Sequence, residues 1–110
     1  MQWLPLALLA VNAFIPSVYA IPGKFCECTG KPTDNKQDLI NLTQSCCGKT
    51  TFPPFQVLAG TFDTKLNQCD YSNNVQFGTL QPEDASKSYA ACCSATSGQK
   101  LEAACRFSRL

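Results

Sequence analysis

The sequence predicts an α+β protein of ferredoxin-like βαββαβ order, an antiparallel four-stranded sheet with two helices on one face, fastened by four disulfides. Three observations carry that expectation. Apolar residues alternate with a period of two in four short stretches and recur at helical spacing in two longer ones. Glycine and proline fall at the boundaries between these stretches. The eight cysteines run C-x-C, CC, C, CC, C, so that four fall on the strands and four at the ends of the helices.

The chain begins with MQWLPLALLAVNAFIPSVYA, an uncharged apolar stretch closing on Val18-Tyr19-Ala20, with small residues at the positions a signal peptidase reads. Pro5, Asn12 and Pro16 interrupt it, which suits a cleaved secretory signal over 1–20 better than a membrane span. Cleavage after Ala20 leaves 21–110 as a single small disulfide-rich domain.

In KFCECTG, Cys26 and Cys28 share one face of a strand while Phe25 and Glu27 share the other. A helix over about 34–47 follows, capped by Thr33 or Asp34, with Leu39, Leu42 and Cys46 at helical spacing and Gly48 as a left-handed stop. After Pro53-Pro54, the alternation of Phe55, Val57 and Ala59 predicts the second strand. A turn at Asp63-Thr64 then leads into the third, over Leu66 to Tyr71, with Cys69. QPEDASKSYAACCSA reads as the second helix, with proline and two acids in its first turn and Gly98 at its end. Finally Leu101, Ala103, Cys105 and Phe107 alternate with Glu102, Arg106 and Ser108.

A domain of this size has a thin core, which secreted proteins commonly reinforce with disulfides. Cys26, Cys28, Cys46, Cys47, Cys69, Cys92, Cys93 and Cys105 are therefore expected in four bridges, with no metal and no cofactor. The usual strand order 4-1-3-2 places each helix end near two strands. On that layout Cys46 and Cys47 pair with Cys26 and Cys69, and Cys92 and Cys93 with Cys28 and Cys105. The chain has no histidine and no paired CxxC spacing, which disfavours a zinc site.

Lack of histidine also removes Ser-His-Asp and Cys-His catalysis, and the glycines sit singly, so no enzymatic activity is expected. Glu83 and Asp84 read as helix N-terminal acids rather than a glycosidase pair. The net charge of +1, spread without runs, argues against nucleic-acid binding and against a polybasic membrane-surface peptide. Asn41-Leu42-Thr43 is a glycosylation sequon. Phe52 and Phe55, around the double proline, read as core cover with a recognition loop as the alternative; Phe77 is open between the two, and Tyr89 reads as core.

Cys26-x-Cys28-Thr29, Cys46-Cys47-Gly48 after a helix, a lone Cys69, the Cys92-Cys93 doublet and a terminal Cys105-Arg106 resemble the KP6-type killer toxin subunits and small fungal effectors of similar fold. The resemblance spans nearly all of 21–110. It implies a disulfide-bonded α/β sandwich exported by a fungus and acting on another organism or cell. KP6 subunits are cut from a precursor at dibasic sites, and this chain has no Lys-Arg or Arg-Arg pair, which favours the effector over the killer toxin. Hydrophobins also carry eight cysteines with two doublets, but in the order C, CC, C, C, CC, C. The expected function is thus that of a secreted effector or virulence protein. It would act in the apoplast or on host cells by binding an unknown host or competitor protein or cell surface, as a monomer and without membrane insertion. The alternatives are an antimicrobial protein that attacks competitor membranes, an inhibitor of host hydrolases and a hydrophobin-like surface protein.

Overall fold

The computed structural model describes residues 23–31 and 33–108. The expected signal over 1–20, with its cleavage after Ala20, lies outside the described residues. Four strands and two helices follow in the order β1 (Gly23–Thr29), α1 (Lys36–Cys46), β2 (Thr61–Asp63), β3 (Gln68–Asp70), α2 (Pro82–Ser97) and β4 (Glu102–Ser108). The sheet is antiparallel throughout, in the order β2-β3-β1-β4. This is the expected split βαβ arrangement.

β1 lies between β3 and β4. Its seven residues pair with all seven of β4, from Gly23 opposite Ser108 to Thr29 opposite Glu102. Cys26 lies opposite Cys69 on one side and Cys105 on the other, so one row of cysteines crosses β3, β1 and β4 on the helix-covered face.

Each helix carries its own start. The Asn35 side chain accepts from the N–H groups of Gln37 and Asp38 at 2.8 and 3.2 Å, satisfying donors that the first turn leaves unpaired. The cap is therefore Asn35, not Thr33 or Asp34; Asp34 instead closes its own turn by accepting from Lys31 N–H at 2.6 Å. α2 starts with Pro82 at its first position, followed by Glu83 and Asp84, and ends on Gly98 at φ 77°. Gly48 does not play the same part for α1. The capping Cys47 is right-handed, and the Thr50 hydroxyl donates to the Cys46 carbonyl at 2.7 Å.

The second strand is the main departure from expectation. Phe55, Val57 and Ala59 are not in it; residues 51–60 form a loop with one isolated bridge, Thr51 to Val57, and a cis Pro53-Pro54 bond. The strand proper is Thr61–Asp63. Alternation misleads here because two buried anchors, Phe52 and Leu58, pull both ends of the loop into the core and leave its middle outside.

The core lies between the sheet and the helices. Phe52, Tyr71, Phe77 and Tyr89 are almost wholly buried. Tyr71 stacks on Phe77 at 4.3 Å between ring centres, and Phe52 meets both edge-on at 5.3 and 5.2 Å. Phe77 reaches this cluster from a short 3-10 turn, Phe77–Thr79.

α2 also closes an edge of the sheet. Ser86 accepts from Cys105 N–H at 2.9 Å, and Ser94 accepts from Leu101 N–H at 2.9 Å. Two backbone donors on the outer side of the β4 segment, those of Leu101 and Cys105, are thereby occupied, which blunts this edge against pairing with another chain.

Candidate interaction surface

All eight cysteines are bridged, as Cys26–Cys105, Cys28–Cys93, Cys46–Cys92 and Cys47–Cys69. Two of these, Cys28–Cys93 and Cys47–Cys69, join a strand to a helix in the expected manner. The other two correct the expectation. Cys26 does not reach α1; it bonds to Cys105, with the two Cα atoms 4.1 Å apart. Cys105 N–H points away to Ser86, so the two residues form a non-hydrogen-bonded antiparallel pair, the kind that brings opposed side chains closest. Cys46 and Cys92 then bond to each other because the last turn of α1 packs beside the C-terminal half of α2.

The sulfur atoms of Cys28, Cys46 and Cys93 lie within 4.8 Å of one another. Each is already in a bridge, so none offers the thiolate that a metal would require.

Asn41 is exposed on α1 and accepts from the Gln37 side-chain amide at 3.0 Å. Its sequon partner Thr43 is only 1 % exposed. The Thr43 hydroxyl donates to the Leu39 carbonyl at 2.8 Å and accepts from Cys28 N–H at 2.9 Å. A glycosyltransferase that reads this hydroxyl must therefore act before α1 packs on β1.

Glu83 and Asp84 are exposed in the first turn of α2, where the helix dipole favours acids. The phenols of Tyr71 and Tyr89 are no better placed for acid–base work. Burial pushes both well above their ordinary range, an effect that a Thr50 hydrogen bond partly opposes at Tyr71 and that the neighbouring Tyr71 reinforces at Tyr89. Both stay neutral at physiological pH.

The helix-free face of the sheet is polar and internally connected. Gln68 donates to the Glu27 carboxylate at 3.1 Å and accepts from the Arg106 guanidinium at 3.2 Å. Phe25 points to this face, yet it is only 4 % exposed and stands apart from the main core. Arg106, its neighbour across the strand pair, covers the ring at 4.8 Å. At Gly23 a side chain would run into the Phe25 ring, 2.7 Å from its Cζ, so the missing Cβ lets the ring lie flat.

The apolar display is elsewhere. Among the described residues the exposed large hydrophobic side chains are Val57, Leu66 and Val75. All three flank the β2–β3 hairpin: Val57 before it, Leu66 at its turn, Val75 after it. The hairpin brings the segment before β2 and the segment after β3 to one end, and the Asn74 side chain donates to the Ala59 carbonyl at 3.4 Å to join them. A hollow of about 240 Å³ lies there, lined by Ala59, Thr61, Asp70, Tyr71, Asn73 and Asn74. The two bordering loops carry Val57, 50 % exposed, and Val75, 85 % exposed.

Alternation could have found the pairing of Phe25 with Arg106 only with the strand register known. The loop surface at Val57 and Val75 had one legible cue, the double proline that opens it. Against protein families, curated proteins and solved structures alike, the chain finds no match.

Proposed function

We propose that the chain is an exported, KP6-like effector that acts outside the producing cell by binding a host or competitor protein rather than by catalysis. The observation that carries this reading is the exposure of Val57 and Val75 on two loops that the Asn74–Ala59 hydrogen bond joins, set on a scaffold whose cysteines are all bridged. Aliphatic side chains held out on anchored loops are what a protein partner needs, because the entropy of ordering the surface is largely met before binding. The four disulfides support an oxidising, extracellular setting. Among the described residues no helix is long and apolar enough to cross a membrane.

The test uses the exported protein with a tag, applied to intact host tissue and to competitor cells. Saturable retention on host material that is lost in a Val57→Asp/Val75→Asp variant supports the binding reading. Dye release from vesicles or growth arrest of competitors points instead to a killer toxin. Inhibition of a panel of proteases and chitinases would identify hydrolases as the partner. Expression that is flat and independent of a living host overturns the effector reading.

A further inference from the structure

The two cysteine doublets converge on one small region. Adjacent residues Cys92 and Cys93 provide both of α2's covalent attachments, to Cys46 on α1 and to Cys28 on β1. Cys28, Cys46 and Cys93 are nearly or wholly buried, whereas Cys92 is half-buried and lies against the exposed Thr96. Thus Cys92 is the half of the Cys46–Cys92 bridge nearer solvent, while the Cys46 sulfur lies within 4.8 Å of both sulfurs of the second bridge.

We propose that Cys46–Cys92 is a thiol–disulfide exchange site for a small-molecule monothiol, and that the Cys46 sulfur it releases relays to Cys28, detaching α2 from both of its covalent ties. In the first step the external thiolate attacks the Cys92 Sγ, forming a mixed disulfide and expelling Cys46 as thiolate. The Thr96 hydroxyl lies 3.8 Å from the sulfurs of both Cys46 and Cys92, where it donates to the departing anion. That anion is poorly placed to persist: it is buried, and it sits on the last residue of α1, the negative end of the helix dipole.

In the second step the Cys46 thiolate attacks the Cys28 Sγ, the Cys28–Cys46 bond forms and Cys93 leaves as thiolate. Cys28 is the favoured target because α1 and β1 stay in register without any disulfide: Cys28 N–H donates to the Thr43 hydroxyl, one turn before Cys46. Cys93 rides on α2, the element being loosened. A second equivalent of thiol resolves the mixed disulfide at Cys92, giving the oxidised thiol dimer and a Cys92 thiolate. Neighbouring Cys92 and Cys93 are held in helical geometry, which does not suit a bridge between them. The balance is two thiols oxidised to one disulfide, one protein bridge reduced and one bridge moved. α2 is then held only by packing and by hydrogen bonds such as those of Ser86 and Ser94 to the β4 segment.

The experiment treats the folded full chain with graded reduced glutathione, quenches with acid, alkylates and maps peptides. The expected first rearranged product carries a new Cys28–Cys46 cross-link, label on Cys93 and glutathione on Cys92, which further thiol converts to label on both Cys92 and Cys93. A trivalent arsenical, which chelates adjacent dithiols, captures this last form. A Cys28→Ala/Cys93→Ala variant removes the relay and takes label on Cys46 and Cys92 instead. The surface variant Thr96→Val keeps all bridges and slows the first step about ten-fold, the kinetic equivalent of the weaker hydrogen bonds to charged groups. First opening at Cys26–Cys105 or Cys47–Cys69 overturns the proposal, as does label on Cys46 and Cys92 with Cys28–Cys93 intact, or an unchanged rate in Thr96→Val.

Discussion

The Thr43 hydroxyl and the Cys28 backbone N–H meet at 2.9 Å, and this buried hydrogen bond fixes α1 on β1 independently of any disulfide. Thr43 works from both ends: its carbonyl accepts from the Tyr89 hydroxyl at 2.5 Å, so one residue of α1 also orients α2. Thr43→Val keeps the shape but leaves the Cys28 donor unpaired and buried. It is expected to cost about 1–3 kcal/mol in chemical denaturation, with Thr43→Ser costing clearly less. Equal losses for the two variants would assign the effect to packing rather than to the hydrogen bond.

Arg106 over Phe25 gives a second prediction. Removing the guanidinium uncovers Phe25, which among the described residues is the buried aromatic outside the main core. Arg106→Ala should therefore lower stability, and a double-mutant cycle with Phe25→Leu should return a coupling of about 0.5–2 kcal/mol. A coupling near zero would mean that the ring is covered by neighbours other than Arg106.

Gly60 has no room for a side chain. A Cβ there would collide with the Cys69 sulfur and come within 2.8 Å of the Tyr71 ring, while Gly60 N–H donates to the Cys47 carbonyl at 3.1 Å. Gly60→Ala is expected to destabilise by about 1–3 kcal/mol, the usual range for overpacking. Gly48, where a Cβ meets nothing within 4 Å, is the control, and Gly48→Ala should be close to neutral.

Alkaline pH should unfold the protein cooperatively. Tyr71 and Tyr89 have folded pKa values raised by burial, so above about pH 10 the unfolded chain releases protons that the folded chain keeps. Stability is at its full value below that pH and falls as pH rises from there, by about 1.4 kcal/mol per pH unit for each tyrosine. Absorbance at the tyrosinate band should stay flat for these two residues until the fold is lost, then rise in one step with the circular-dichroism change. Gradual tyrosinate formation in a protein that is still folded would contradict their burial.

The four bridges should not be equivalent. Cys26–Cys105 closes the longest loop, with a separation of 79 residues, and Cys47–Cys69 the shortest, with 22. The chain-entropy relation gives about 4.5 kcal/mol for the first and about 3.4 for the second. Removing both cysteines of a pair, one pair at a time, and comparing denaturation midpoints checks the order. A greater loss at Cys47–Cys69 would show that local packing around Gly60 and Tyr71 outweighs loop entropy.

Period and punctuation made most of the architecture legible. The alternation in KFCECTG and in LEAACRF, the proline and acids opening α2, and Gly98 closing it are local properties, and local sequence reports them. The loop at 51–60 was not legible, because Phe55, Val57 and Ala59 alternate like a strand. What prevents one is the burial of Phe52 and Leu58 on either side, a property of the assembled core. Likewise Phe77 lies in a polar loop by composition and in the aromatic cluster by packing.

By itself the sequence determined the element order and the presence of a cysteine doublet in the C-terminal half of each helical segment, since these follow from hydrophobic period, turn chemistry and cysteine spacing; the strand order came with the fold class those elements imply. Only the tertiary structure decided the partner of each cysteine. Which sulfurs meet depends on strand register to within one residue and on how two helix ends abut. Cys26 faces both Cys69 and Cys105 across the sheet, and nothing local to it distinguishes the two. The choice falls to Cys105 because its N–H turns to Ser86 and its Cα comes within 4.1 Å, while Cys69 is held by Cys47.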